Sequence, residues 1–468
     1  MPIDDSSFKK LQGIVGHTHC SRKKEDLVCY AYDATGHTYM PDAILFPQNT
    51  NEVSRILKTA NEDRFFVIPR GSGSGMTGGS LAVNGGVVLV MTRFSRIHHI
   101  DKDNLIAHVE PGLVTGSFHR AVEKEGLFYP PDPSSSEFST LGGNLAECAG
   151  GPRALKYGVT RDYVLGVEAV TPTGEIITTG TQTTKGVVGY DLTRLLIGSE
   201  GTLGVITRMT LRLLPLPEAI RTMSAVFAQV ETAAETVSEI IRRSIIPRTI
   251  EFMDKASIRC VENHLKIGLP TEADALLIIE VDGKSRDIDM TIEELKTICI
   301  SRGANRVNIA RSQEEVERLW KARKSISPTL FQYGPDKLNE DIVVPRSKIP
   351  DMVRMINRLR VETGLMIVTF GHFGDGNIHF NIMLDKKNKG ALKKANAALE
   401  TLFDYTLELG GTISGEHGIG ITKTPYMAKE IGPVELMLMK KIKKTFDPNG
   451  ILNPGKIFSN DFKSRNRL

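Results

Sequence analysis

Short apolar runs separated by amphipathic stretches make up most of the chain. Near the N-terminus, PDAILFP and RFFVIP predict two strands, and residues 51–61 between them have the apolar spacing of a helix. The first forty residues have the pattern of a charged, helical lead-in. This β-α-β pattern runs directly into a glycine-rich stretch at residues 70–80.

The pattern changes after the proline-spaced segment LPLP at residues 214–217, which is typical of a stiff linker. Beyond it, apolar strands and amphipathic helices alternate, beginning with the strand TMSAVFAQV and the helix TAAETVSEIIRRS. A helix is predicted over 314–331, a strand over 341–345 and a further helix around 394–409. This order indicates an α+β domain on a largely antiparallel sheet.

The stretch RGSGSGMTGGS at residues 70–80 contains G-x-G-x-x-G. A Rossmann fold requires a helix immediately afterwards, but the continuation LAVNGGVVLVMTRF is rich in strand-forming residues. A P-loop is excluded because no Gly-Lys-Ser/Thr follows. We therefore interpret the stretch as a loop whose backbone N–H groups bind a diphosphate; a flexible surface loop is the alternative.

Two further stretches of small residues have the same character. PPDP followed by TLGGNLA lies at residues 130–146, and GSEGTLGVIT lies at residues 198–207. Rigid prolines followed by glycines and alanines suit a backbone that lies against a flat ring system.

Two histidines, His372 and His379, flank a Gly-Asp-Gly-Asn turn in GHFGDGNIHFNIM, and Glu416 and His417 follow about forty residues later. A straight strand would send residues at an odd spacing to opposite faces, but the turn lets the two imidazoles converge. Two imidazoles and a carboxylate form a divalent metal site with open positions. His417 is then left as a base. Buried histidines with only a packing role are the alternative.

Composition narrows the function. The 468 residues predict two or three domains, and a net charge of +4 gives no reason to expect nucleic acid as a partner. No apolar run reaches the length of a transmembrane helix, and MPIDDSSFKKLQG lacks a secretory signal. The five cysteines form no C-x-x-C pair, which argues for a reducing compartment and against an iron–sulfur cluster. The cytoplasm is the expected location, with attachment to a membrane through a partner left open.

Seven motifs in this order resemble a known family. They are PRGSGSGMTGGS, PPDP with STLGGNLAECAGG, KYGVTRDYV, SEGTLGVIT, GHFGDGNIHFN, SGEHGIG and DPNGILNPGKIF. Almost the whole chain resembles the FAD-dependent 2-hydroxyacid dehydrogenases of the vanillyl-alcohol oxidase superfamily, which have a PCMH-type flavin domain. Within it, the chain is most similar to the branch of the glycolate oxidase D subunit and D-lactate dehydrogenase.

The resemblance implies an α+β fold with three parts: a two-subdomain FAD-binding domain at residues 1–217, a cap domain at 218–412, and a segment 413–468 that returns to the flavin domain. It also implies which residues bind FAD: Arg70, Gly71, Ser72, Gly73, Ser74, Gly75, Thr77, Gly78, Gly79, Ser80, Pro131, Asp132, Ser135, Thr140, Gly142, Gly143, Asn144, Ala146, Gly150, Glu200, Gly201, Gly204, Ile206 and Asn453. The first loop has no histidine or cysteine, so non-covalent FAD is expected, with Cys148 the one residue that leaves a covalent link open.

The same resemblance assigns His372, His379 and Glu416 as ligands of zinc, manganese or iron, and His417 as the base. Arg323 matches the residue that binds the substrate carboxylate, with Lys337 as a weaker candidate for the same task; Ser327 stands where relatives have threonine. On the residues alone, solvent-exposed helix-face charge is the preferred interpretation of Arg323 and Lys337.

The implied reaction oxidises a small D-2-hydroxy acid such as D-lactate or glycolate, with a proton passing to His417 and a hydride to flavin N5. Electrons then pass to a separate acceptor: an iron–sulfur subunit, an electron-transfer flavoprotein, a quinone or a cytochrome. The alternatives are a D-2-hydroxyglutarate dehydrogenase and a flavin subunit that only relays electrons. A homo-oligomer is left open.

Overall fold

The computed structural model describes residues 3–458, so the last ten residues of the expected C-terminal segment lie outside the described residues. These residues form two compact units. The first comprises residues 3–149, 159–216 and 416–458, and the second comprises 150–158 and 217–415. Residues 150–158, expected within the FAD-binding domain, belong to the second unit because Lys156 and Tyr157 both donate hydrogen bonds to the buried Asp282.

The α-helices follow in chain order. They are α1 Asp5–Val15, α2 Lys24–Val28, α3 Thr50–Asp63, α4 Thr115–Lys124, α5 Leu141–Glu147, α6 Ala154–Tyr157, α7 Leu192–Leu196, α8 Val230–Arg242, α9 Lys255–Leu265, α10 Ser285–Ser301, α11 Gln313–Lys324, α12 Ile326–Thr329, α13 Ile349–Thr363, α14 Lys389–Glu408, α15 Met427–Glu430 and α16 Pro433–Phe446.

The strands are numbered in the same way. They are β1 Cys20–Ser21, β2 Ala43–Leu45, β3 Val67–Arg70, β4 Val87–Val90, β5 Ile97–Asp101, β6 Ile106–Val109, β7 Leu127–Phe128, β8 Val164–Val170, β9 Ile176–Gly180, β10 Val205–Arg212, β11 Leu214–Pro215, β12 Ala219–Phe227, β13 Thr249–Asp254, β14 Ala275–Gly283, β15 Arg306–Ile309, β16 Asp336–Val343, β17 Met366–His372 and β18 Asn377–Leu384.

The first unit is built on two larger sheets. One has the order β1-β2-β4-β3, in which β4 pairs in parallel with β2 and β3. The other has the order β5-β6-β10-β8-β9 and is antiparallel. Apolar side chains of α1, α3 and the first sheet form one core, which includes Leu57, Val87 and Leu89. The C-terminal segment reaches this sheet, because Leu452 forms a parallel bridge to Val67.

The second unit is built on a seven-stranded sheet in the order β15-β12-β14-β13-β17-β18-β16, and its strand pairs are all antiparallel. The predicted α+β class with a largely antiparallel sheet is therefore confirmed. A core beneath this sheet includes Ile278, Val368 and Ala322.

Two of the differences from the sequence-based expectation concern the elements that carry Lys337 and Arg323. The strand expected at 341–345 is β16, which begins earlier, because polar residues such as Asn339 pair opposite polar residues of β18, here Asn381. Lys337 therefore lies on a strand and not on a helix face, so that part of the prediction is wrong. The helix expected over 314–331 is interrupted at Ser325, where α11 ends and α12 begins.

Candidate functional site

The glycine-rich loop follows β3 in the first unit, and no helix begins there, which agrees with the rejection of a Rossmann fold. Arg70, the last residue of β3, is buried, and its guanidinium donates hydrogen bonds to the Tyr32 carbonyl (2.8 Å) and to Ser80 Oγ (3.3 Å). Burial lowers the pKa of Arg70. Arg70 therefore links the first residue of the loop to its last, Ser80.

The loop glycines are needed because other groups lie against their backbone. A Cβ on Gly71 would overlap Thr140 Oγ1, and a Cβ on Gly79 would lie 2.7 Å from Glu147 Oε1. Gly73 and Gly78 have φ values of 75° and 85°, in the left-handed region that favours glycine. Residues 71–76 are partly exposed, so the loop presents backbone groups and little side-chain bulk, as binding of a diphosphate requires.

Asn453 joins the C-terminal segment to two of the small-residue stretches. Its side-chain amide donates to the Gly79 carbonyl (2.9 Å) and to the Glu200 carbonyl (2.7 Å), and it is 1% exposed. Asn453 and Glu200 both have positive φ, 45° and 51°. Such strained conformations persist only where the surroundings fix them, and they cluster at functional sites.

Glu200 also fixes the loop that carries the expected base. Its carboxylate accepts hydrogen bonds from the backbone N–H groups of Ile419 and Gly420, both at 2.7 Å. Burial raises the pKa of Glu200. Thr77 Oγ1, in the glycine-rich loop, donates to the His417 carbonyl at 3.0 Å. Within the first unit, the proposed base is thus tied directly to the proposed diphosphate loop.

Several of the remaining predicted cofactor residues form hydrogen bonds within the first unit. Some hold neighbouring segments: the Pro131 carbonyl contacts a His119 ring nitrogen (2.9 Å), Asn144 donates to Thr115 Oγ1 (2.8 Å), and the Ala146 carbonyl accepts from the Glu200 N–H (2.9 Å). Gly150 is assigned to the second unit, and the other predicted cofactor residues belong to the first.

His372 ends β17 and His379 lies two residues into β18, after the turn at residues 373–376. Both side chains are buried, and their rings meet edge to face with centroids 5.2 Å apart. Gly415 donates its N–H to the Asp341 carboxylate (3.0 Å), and Glu416 follows it in the chain. Within the second unit, the ligand nitrogens of His372 and His379 lie within 4.8 Å of each other. This spacing and donor set fit a divalent cation.

Glu251 on β13 is a residue that sequence reasoning missed. Its Oε1 lies 2.6 Å from His372 Nδ1, and its side chain is 0% exposed. Metal-binding histidines commonly give their second ring N–H to a carboxylate, which fixes the tautomer and directs the other nitrogen to the metal. The only sequence signal was an acidic residue within an apolar strand, TIEFM.

Arg323 also contacts Glu251. Its Nε lies 2.6 Å from Glu251 Oε2, its guanidinium lies over the Phe370 ring, and the residue is 4% exposed. The interpretation of Arg323 as a solvent-exposed charge is therefore wrong. Nη2 of Arg323 is buried and has no hydrogen-bond partner among residues 3–458. An unsatisfied buried guanidinium nitrogen is costly, so this atom is suited to a ligand carboxylate.

Lys337 and Asn381 lie on β16 and β18 of the same sheet. Lys337 Nζ donates to Ser327 Oγ (2.8 Å), and burial lowers the pKa of Lys337, so it is not a fully solvated charge. Asn381 is fully buried and lies two residues after His379, on the same face of β18. The alternation in NIHFN could have identified it.

Comparison with known proteins identifies the family. Residues 41–180 match the FAD binding domain model, and residues 216–457 match the model of FAD linked oxidases, C-terminal domain. The chain belongs to the FAD-linked oxidase family, as its sequence motifs predicted.

Named relatives extend over nearly the whole chain. It is 46% identical to the glycolate oxidase subunit GlcD of Bacillus subtilis over 93% of both chains. It is 37% identical to a D-lactate dehydrogenase of Archaeoglobus fulgidus, over 92% of this chain and 95% of the relative. Among solved structures, p-cresol methylhydroxylase aligns with a TM-score of 0.81 at 18% identity, over 99% of this chain and 100% of the other. That likeness concerns the fold.

No helix within residues 3–458 is long and apolar enough to cross a bilayer.

Proposed function

We propose that the protein oxidises a small D-2-hydroxy acid, glycolate or D-lactate, to the corresponding 2-oxo acid with FAD and a divalent cation. The family membership and the named relatives support the redox cofactor and the substrate class. The observation that carries the proposal is the buried pair of His372 and His379, for which Glu416 is the third candidate ligand, together with Arg323, which contacts the same Glu251 as His372. A protein that only relayed electrons would have no use for such a donor set.

Each proposed role follows from the chemistry of the side chain. His372, His379 and Glu416 hold the cation, and Arg323 binds the substrate carboxylate through its outer nitrogens. His417 accepts the proton of the substrate hydroxyl. When bound, the cation supplies Lewis acidity toward that hydroxyl, and FAD supplies a two-electron acceptor for the hydride from Cα. Lys337 stays a weaker candidate for the carboxylate.

Two features bear on the cofactors. A mixed imidazole and carboxylate set suits zinc, manganese or iron, so the identity of the metal is left to measurement. FAD is expected to bind without a covalent link, because the glycine-rich loop has no histidine or cysteine. Cys148, which left this open, has its Sγ 3.2 Å from Arg161 Nε and is thereby engaged within the protein.

The reduced flavin requires an acceptor outside this chain. The five cysteines are free, and they are scattered over the sequence without cluster spacing. An iron–sulfur subunit, an electron-transfer flavoprotein, a quinone or a cytochrome would serve, and we place the reaction in the cytoplasm, where free thiols persist.

The test is a substrate panel added without oxygen to the purified yellow protein, after its metal content has been measured. Glycolate or D-lactate should bleach the visible absorbance of the flavin, whereas L-lactate should act slowly or not at all. Faster bleaching by D-2-hydroxyglutarate would favour the dicarboxylate alternative. A protein with full FAD and metal that no 2-hydroxy acid reduces would be an electron relay instead.

A further inference from the structure

One buried carboxylate lies between two groups that the proposed reaction uses for different purposes. Glu251 Oε1 contacts His372 Nδ1 and Glu251 Oε2 contacts Arg323 Nε, both at 2.6 Å. Thr249 Oγ1 lies 3.3 Å from the same Oε1. The two strong contacts therefore use different oxygens of one carboxylate, and both could hold at once.

The position of this carboxylate is fixed by the sheet. Glu251 lies on β13, a strand paired on one side with β14 and on the other with β17. It pairs directly opposite Ile278 on β14 and His372 on β17. A residue within a central strand of an antiparallel sheet has little freedom to shift, because a change of register would turn every side chain of the strand to the other face.

Burial strengthens the ion pair between Glu251 and Arg323. Glu251 is fully buried, and Arg323 is almost fully buried, so their contact forms in a medium of low dielectric. The contact between Arg323 Nε and Glu251 Oε2 is an ion pair without hydrogen-bond geometry, so it fixes the position of the guanidinium by charge, and the buried Nη2 is left for another acceptor. The same carboxylate also contacts Nδ1 of His372, so the other ring nitrogen, Nε2, is the one that faces a cation.

We propose that Glu251 is a positioning residue that sets both the metal ligand His372 and the carboxylate-binding Arg323. Metal retention and affinity for the hydroxy acid are then coupled through one side chain that contacts neither. This inference rests on the proposed function, because it assigns Glu251 to that same site.

The decisive variant is Glu251→Gln, which keeps the size of the side chain. An amide has one acceptor oxygen, so it can accept from His372 or from Arg323 but not from both, and its NH₂ group opposes the other donor. We expect affinity for Zn²⁺ or Mn²⁺ to fall about 10- to 100-fold, the usual effect of losing such a partner. We expect KM for the hydroxy acid to rise in the same variant.

Glu280→Gln is the matched control. Glu280 lies on the neighbouring strand β14 and on the same face of the sheet, because it pairs opposite Thr249. It is buried and accepts hydrogen bonds from Trp320 Nε1 (2.7 Å) and Thr222 Oγ1 (2.8 Å). It therefore repeats the same chemical change in a similar environment, and it should leave metal affinity and KM within about twofold of the wild-type values.

Metal affinity is measured without substrate, by competition of a chromogenic chelator for Zn²⁺ or Mn²⁺, and FAD content is recorded as a check of folding. Wild-type protein that binds neither ion would count against the metal centre of the proposed function. If the wild type binds metal and Glu251→Gln binds it equally well, the role assigned to Glu251 is overturned.

A second comparison covers the case in which Glu251→Gln does not fold because Arg323 is left buried without its partner. Arg323→Met alone keeps the Glu251–His372 contact, whereas the double variant Glu251→Leu with Arg323→Met removes the ion pair entirely. Replacing a buried pair by apolar residues is often neutral for stability. Metal should bind more weakly to the double variant than to Arg323→Met, and equal binding would refute the proposal.

Discussion

The two units use buried charge in different ways. In the first, the carboxylate of Glu200 accepts from two backbone N–H groups, and Lys456 Nζ donates to the Leu81 carbonyl at 2.6 Å. In the second, the carboxylate of Glu251 contacts the side chains of His372 and Arg323. The buried charges of the first unit thus fix the backbone of loops, whereas Glu251 in the second unit fixes the side chains of two functional residues.

This difference follows from what each unit would bind. A diphosphate and a flat ring are recognised by closely approaching backbone, so the first unit needs glycines and groups that fix irregular loops. A cation and a small carboxylate are recognised by polar and charged side chains, and the second unit supplies His372 and His379 from its antiparallel sheet and Arg323 from α11. Substitutions in the glycine-rich loop should therefore disturb FAD, and substitutions of His372, His379 or Arg323 should disturb the cation or the substrate.

The largest effect is expected from His372→Ala. Loss of one of three proposed ligands should remove the metal and, with it, several kcal/mol of transition-state stabilisation, which corresponds to about a 10⁴-fold fall in kcat/KM. FAD should stay bound, because the glycine-rich loop is in the other unit. Metal analysis measures the loss of the cation, and the visible absorbance of the flavin in the same sample measures the retention of FAD.

His264→Ala is the control for that experiment, since His264 is exposed near the end of α9 in the same unit. It should retain both metal and turnover. Metal retained at full stoichiometry in His372→Ala would remove His372 from the ligand set, and loss of FAD would show that the separation between the units is incomplete.

His417→Ala should lower the rate of substrate-dependent flavin bleaching about 10³-fold, the usual contribution of a positioned base. Both FAD and metal should be retained, because the contact from Thr77 reaches the backbone carbonyl of residue 417 and not its imidazole. Stopped-flow absorbance under anaerobic conditions measures the rate. Undiminished bleaching would mean that another group takes the proton.

Lys456→Met examines a buried charge of the first unit. Burial lowers the pKa of Lys456 to about 8, from 10.5 in an unperturbed lysine. Between these values the unfolded chain binds the proton and the folded one does not. The free energy of unfolding therefore gains from Lys456 as pH rises from 8 to 10.5, by at most about 1.4 kcal/mol per pH unit. Methionine should remove that gain.

Denaturant midpoints at pH 7.5, 9 and 10 would show the effect as a difference between variant and wild type, so that other titrating groups cancel. Lys444→Met, at an exposed position of α16, should leave the pH profile unchanged. Parallel profiles for Lys456→Met and the wild type would mean that Lys456 stays protonated in the folded state over this range.

How much of this was available from the sequence depends on the kind of contact. The α+β class, the antiparallel sheet and the family followed from apolar periodicity and from motifs in a fixed order, because such signals are local. The proximity of His372 and His379 also followed from a local feature, the glycine turn between them. The strand that carries Lys337 is not predictable in the same way, because it forms by pairing along its whole length with β18, more than thirty residues away in the chain.

Glu251 could not be predicted for a different reason. It is more than one hundred residues from His372 in the chain, and the two become neighbours only through the pairing of β13 with β17. Without the family resemblance, the sequence indicates a surface charge at Arg323, because Ala322 and Arg323 are the buried residues of an otherwise largely polar helix, α11. Arg323 is buried because Glu251 on β13 and Phe370 on β17 lie against it, and the sequence of the helix carries no sign of either contact.

The smallest predicted effect concerns the hydrogen bond from Thr77 Oγ1 to the His417 carbonyl. Thr77→Val keeps the shape of the side chain and removes the donor, at a cost of about 1 kcal/mol, whereas Thr77→Ser keeps the hydroxyl. The loop that carries His417 is held independently by Glu200, so it should loosen without unfolding. Turnover should fall about fivefold in the valine variant. It should change little in the serine variant, with metal content unaltered in both. If the two variants behave alike, the hydroxyl of Thr77 does not position the base, and one contact that remains between the two loops is the hydrogen bond from the Ile421 N–H to the Thr77 carbonyl (2.7 Å).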